Sequence, residues 1–173
     1  RPEAVPARCG PLPVYPEPLA AGETDPDASS LLADARIRLA EGVAAEGDAY
    51  FATVSAALEG GVLNRTSYKL DWLSLLHRQL MAWSRHPSRD VPLEDKLAKL
   101  TLDALSKGTK KDHAGRTPVS PLQPLIADYM QALERYAAWR RAQSILLLHH
   151  LRSESRWRLE ALKRTRPVQT YDD

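Results

Sequence analysis

The densest run of chemistry in the chain is RRAQSILLLHHLRSESRWR, residues 140–158. His150 and Glu154 stand one helical turn apart, a spacing that lets two side chains reach one metal ion. Two ligands do not make a site, and His77, His86 and His113 lie on other segments. The pair reads as surface or interface hydrogen-bonders, and no metal is expected. Neither H-E-x-x-H nor the E-x-x-H of di-iron helical bundles occurs. The phosphate-cradling patterns G-x-x-x-x-G-K-[ST] and G-x-G-x-x-G are absent too. The single cysteine, Cys9, sits in a Pro-rich stretch with no base beside it, and a lone cysteine allows no intrachain disulfide. No strands are expected that could mount a nucleophile elbow. The Asn64-Arg65-Thr66 sequon is too short a pattern to carry weight. No catalytic residue and no cofactor are assigned, and the expected class is not an enzyme.

What remains is the chemistry of binding. Residues 135–166 hold nine basic side chains against Glu154 and Glu160, a net of +7. On a helical wheel His149, Arg152, Arg156 and Lys163 form a basic stripe beside an apolar one. Trp139 and Trp157 share another line, with Leu146 close to it. Tryptophan and arginine are enriched at binding hot spots. The candidate partner-binding set is therefore Trp139, Ile145, Leu146, His149, Arg152, Arg156 and Trp157. A second candidate is the loop KGTKKDHAGRTPVSP, whose Lys107, Lys110, Lys111 and Arg116 suit a phosphate or other anion. Its competing reading is a solvated connection, although structureless loops of about a dozen residues are commonly functional or disordered. Charge is divided along the chain in the same sense. Residues 1–63 carry 4 basic and 10 acidic side chains, whereas residues 64–173 carry 20 and 12. That asymmetry suits an anionic partner, or an acidic first helix packed beside a basic last one.

Helices must position these residues. The opening 28 residues hold prolines at 2, 6, 11, 13, 16, 18 and 26, which favour extended backbone over helix or sheet. From Asp27, Leu32, Leu39, Val43, Tyr50, Val54 and Leu58 recur at helical spacing until Gly60-Gly61. Gly42 and Gly47 inside that helix weaken it, or mark the close approach of a neighbour. A second helix is expected over about 66–85, with Leu73, Leu76, Leu80 and Trp83 inward, stopped by His86-Pro87. A third, short helix follows, with Asp90 as cap, Pro92 in its first turn, and Leu93, Leu97, Leu100 and Ala104 inward. Gly108 is its stop.

The last helix should start with Ser120 as cap and run to about residue 164. Leu122, Ile126, Tyr129, Leu133, Ala137, Leu147, Leu148, Leu151 and Leu162 fall in one sector of it. Forty-odd residues at 1.5 Å each make a helix roughly 60 to 65 Å long. No earlier helix is that long, so its distal half should project or be covered by something else.

The expected architecture is all-α: three shorter helices packed on the first half of one long C-terminal helix, preceded by a Pro-rich tail. The tail spans residues 1–28 and a single helical domain spans 29–167, with the projecting helix at about 121–164. No apolar run approaches the roughly 18 residues that cross a bilayer, although peripheral membrane contact stays open. The expected function is a non-catalytic accessory subunit of a larger assembly, with protein subunits as partners. A chain starting at Arg1 and rich in Ala and Arg fits a mitochondrial context, with a presequence removed, ahead of a bacterial periplasm. The alternatives are a nucleic-acid-associated basic helical protein and a secreted or periplasmic helical adaptor.

Overall fold

The structure is a computed structural model that describes residues 25–87 and 90–165. Its regular elements are α1 (Ala28–Glu59), α2 (Leu70–Arg85), α3 (Glu94–Leu97), α4 (Leu102–Gly108) and α5 (Leu122–Thr165). Short 3-10 turns occupy Ala98–Leu100 and Lys111–His113. Among the described residues there is no strand, only an isolated antiparallel bridge between Leu63 and Thr109. The chain is all-α. It divides into two compact units, residues 26–137 and, in its described part, the stretch of α5 from residue 138 onward. The Pro-rich segment expected over residues 1–28 lies, up to residue 24, outside the described residues.

Within residues 26–137, α1 buries the residues its periodicity marks: Leu32, Leu39, Val43, Tyr50, Val54 and Leu58. Its C-terminus closes as the glycine pair requires. Gly61 takes a φ of +74°, Val62 N–H donates to the Ala57 carbonyl and Gly61 N–H to that of Leu58. Both interior glycines face neighbours at short range. A β-carbon on Gly42 would stand 2.4 Å from Leu125 of α5, and one on Gly47 2.7 Å from Met81 of α2. Helix propensity is given up there for close approach. From α2, Leu73, Leu76, Leu80 and Trp83 enter the same core, as do Leu122, Ile126 and Tyr129 from α5.

Two boundaries differ from the expectation. The second helix begins at Leu70 rather than near Thr66, because Asn64 organises the preceding residues into a turn. Its Oδ1 accepts the Thr66 N–H and its carbonyl accepts from Ser67 and Tyr68. The third helix is broken into α3, a 3-10 turn and α4. Thr101 leaves helical backbone (ψ 154°), and its hydroxyl accepts the Ala104 N–H and so caps a new helix. Rotation about that break buries Leu105 in place of the expected Ala104 and leaves Leu102 exposed. Nor does Asp90 cap α3; that position is Leu93, in left-handed backbone at φ 51°. The start of α5 is better built than a lone cap. Ser120 Oγ accepts the Leu122 N–H while buried Gln123 reaches back to accept the Ser120 N–H, a reciprocal capping box.

Three tyrosines tie the irregular α3–α4 segment to its neighbours. Tyr50 of α1 donates to the Leu100 carbonyl, and Tyr129 of α5 to the Glu94 carboxylate. The Tyr68 hydroxyl lies 3.0 Å from the carbonyls of both Lys99 and Ala104 and shares its one O–H between them. Burial pushes all three phenols above the usual tyrosine range, and at Tyr129 the adjoining Glu94 adds to the effect. The Tyr68 ring also fills the space that a side chain at Gly108 would need, lying 2.3 Å from an ideal β-carbon.

Two outcomes follow. A ring fixed by two hydrogen bonds gives way less easily than an aliphatic tip, so Gly108→Ala should cost about 1–3 kcal/mol, read as a lower urea midpoint at unchanged slope. The phenols bind their protons more tightly folded than unfolded. Their stabilisation is complete below about pH 10, the unfolded value, and is lost as pH rises beyond it. The thermal midpoint should therefore fall on the alkaline side of about pH 10, and less steeply in Tyr50→Phe and Tyr129→Phe variants.

Candidate functional site

The distal part of α5 carries the first candidate set, and its members fall on two lines. Ala142 is only 4 % exposed, and on the same side Trp139 and Ile145, three residues away, and His149, seven away, are half-buried. The His149 Nε2 atom is buried without a hydrogen-bond partner among the described residues. Leu146, Arg152, Arg156 and Trp157 are exposed, Trp157 to 68 %. The seven residues therefore do not make one patch.

A different group on the same helix does. Leu147, Leu148, Leu151 and Leu162 are between 52 % and 58 % exposed. They share a sector of α5 with Leu122, Ile126 and Tyr129, each exposed by no more than 1 %. One apolar stripe is thus buried over the first turns of the helix and open to solvent in its later ones. Arg152, Arg156 and Lys163 flank the open stretch, and Arg158 lies within it, its Nε 3.8 Å from Glu154. The spacing places these leucines in phase with the core, and they stand outside the candidate set. Their exposure was the missing signal.

Among the described residues no group of three or more potential metal ligands converges, and the Glu154 carboxylate faces Arg158. No described helix is long and apolar enough to cross a membrane.

The second candidate set lies on a loop that is less free than its composition suggests. Lys107 is tied to Asp103 at 2.7 Å. Lys110, Lys111 and Arg116 are exposed. Backbone bonds from Lys110 N–H to the Val62 carbonyl and from Asn64 N–H to the Gly108 carbonyl join this loop to the segment after α1, both at 2.9 Å. The Thr109 and Thr117 hydroxyls, 2.9 Å apart, close its neck. That pairing brings in Arg65 and Lys69, which sequence reasoning missed because they stand some forty residues away along the chain.

Two clefts hold further polar groups. In one, of about 200 Å³, His77 Nε2 lies 2.8 Å from Asp48 Oδ1 and its ring stacks on Phe51 with centroids 4.6 Å apart. Ser55 and Ser74 line the same cleft, but among the described residues neither hydroxyl is hydrogen-bonded to the imidazole. An aspartate–histidine pair without a positioned nucleophile has half of a hydrolytic constellation. The other cleft, about 450 Å³, is lined by Arg36, Asp90, Glu94, Tyr129 and Tyr136 around Leu32 and Leu133. Arg36 Nε is buried there without a partner among the described residues.

No family model, curated protein or solved structure matches this chain. The arrangement of charge and exposed apolar surface must stand for itself. A variant retaining Trp157 as its sole tryptophan should emit at long wavelength and be quenched readily by iodide, whose charge the neighbouring arginines attract. A variant retaining only Trp83, 7 % exposed, should resist the same quencher.

Proposed function

We propose that this chain is a non-catalytic helical subunit or module of a larger assembly, whose protein partner seats on the distal part of α5. The observation that carries the reading is the exposed row of Leu147, Leu148, Leu151 and Leu162, continuous in phase with a stripe that is buried earlier in the same helix. Leaving apolar surface in water forgoes roughly 25 cal/mol per Å², and contiguous exposed patches mark interaction sites. The flanking Arg152, Arg156 and Lys163 suit a partner surface that offers leucine-sized pockets rimmed by carboxylates. Arg158 within the row favours such a protein over a lipid surface, since its guanidinium needs an acceptor where acyl chains have none. The Pro-rich segment over residues 1–28 belongs to the proposal as a second contact, on sequence grounds.

The test is a comparison of variants in the native setting. Leu147→Asp with Leu151→Asp replaces exposed side chains and should change stability by no more than about 0.5 kcal/mol. It should abolish co-purification with the subunits that accompany the unmodified chain. Ile37→Asp, at an exposed position on α1 (54 %), should leave co-purification intact. Retention of the same partners by the double variant would overturn the reading.

A further inference from the structure

The bridge between Leu63 and Thr109 has a consequence for charge that neither segment shows alone. It places the loop cations beside the C-terminal turn of α1. The Lys110 ammonium reaches to within 3.8 Å of where a Gly61 β-carbon would stand. Arg65 approaches the same turn, donating from Nη2 to the Glu59 carbonyl at 3.2 Å. Lys69 lines one cleft with Glu59 and Arg65, and Lys111 and Arg116 lie further along the loop. All five are exposed. Lys69, Lys110, Lys111 and Arg116 make no ion pair among the described residues, so their charge is unspent. The acidic groups nearby are Glu59, Asp71 and Asp112, with Asp103 neutralised by Lys107. Cations prevail.

Two properties separate this corner from an ordinary solvated loop. It is held in place: Lys110 N–H binds Val62, His113 N–H binds the Lys110 carbonyl, Arg116 N–H binds that of His113, and the threonine pair closes the neck. A ligand would meet a backbone already held in place, so that only side chains are left to order. Its loop side is also polar: between residues 103 and 117 no large apolar side chain is exposed, and the apolar surface beside the cations is confined to Leu70, next to Lys69. Protein interfaces draw their affinity from buried aromatic and aliphatic anchors, which the loop does not offer. Phosphate backbones are held by Lys, Arg and hydroxyl side chains alone, and Thr66, Ser67 and Thr109 stand among these cations.

We propose that Arg65, Lys69, Lys110, Lys111 and Arg116 form a binding surface for the phosphodiester backbone of a nucleic acid. Recognition rests on charge and spacing and is independent of base sequence. The proposal uses no residue of the leucine row on α5, and each reading stands or falls without the other.

The measurement is fluorescence anisotropy of the whole chain with a short labelled mixed-sequence DNA duplex, and with a single strand of the same length, across a salt series. Binding should weaken steeply with salt. The Lys110→Ala/Lys111→Ala/Arg116→Ala variant should bind at least ~10-fold more weakly at low salt, with a log–log salt slope shallower by about three. Leu147→Asp/Leu151→Asp should bind like the unmodified chain. The relative affinity of duplex and strand tells which form the surface fits, and tight binding of either supports the proposal. Absence of binding at low salt, or unchanged affinity and slope in the triple variant, would sink it. So would competition by poly-glutamate as effective as that by unlabelled DNA, which would point to an acidic protein instead.

Discussion

The close approach of α1 and α5 at Gly42 sets the register of the core in residues 26–137. With no β-carbon on Gly42, Leu122 and Leu125 can reach the α1 backbone. Once those leucines are seated, the 3.6-residue repeat delivers Ile126 and Tyr129 to the same core. Tyr129 then reaches Glu94 at the head of α3. Tyr50, two turns after Gly42 on α1, reaches Leu100 at the other end of that irregular segment. A short segment with few helical bonds of its own is held by phenols from two long helices and by Tyr68. These hydrogen bonds matter more for what they prevent than for what they add. A buried carbonyl left without its donor costs about 1–3 kcal/mol, more than the net gain of making the bond.

The same segment ends in Gly108, and through it the core is linked to the surface chemistry. Tyr68 packs on Gly108 while its backbone neighbours turn around Asn64. The two-residue bridge of Leu63 and Thr109 accompanies that docking, and with its flanking backbone bonds it brings the segment of Arg65 beside the loop that carries Lys110, Lys111 and Arg116. Charge on this protein is thus arranged by apolar packing. The basic stretch of α5 differs in kind, since helical geometry alone lines up Arg152, Arg156 and Lys163.

Much of the architecture could be read from periodicity. α1, α2 and α5 are long enough for the repeat of Leu, Val and Tyr to outweigh local exceptions; the inward faces of α1, α2 and the first turns of α5 are those the spacing marks, whereas Ala137 and the later leucines of that sector are exposed. The α3–α4 segment was misread as one helix because its apolar residues keep helical spacing across Thr101. There a single hydroxyl, bonded to the Ala104 N–H, competes successfully with the helix. Leu93 was also opaque. A leucine in left-handed backbone is held there by its surroundings and not by its own preference.

The candidate sites divide along the same line. Sequence determined by itself that the chain is helical, that its charge is unevenly divided, and that α5 bears one apolar stripe of constant phase, because these depend only on composition and on neighbours within a few residues. It also marked Lys107, Lys110, Lys111 and Arg116, because they are contiguous. Only the tertiary structure decided which part of the stripe is covered, since burial depends on what lies opposite and a periodic pattern is silent about that. It alone brought Arg65 and Lys69 to the basic loop, through contacts between residues far apart in the chain. And it split Trp139, Ile145 and His149 from Leu146, Arg152, Arg156 and Trp157, because exposure around a helix is set by its environment and not by residue type.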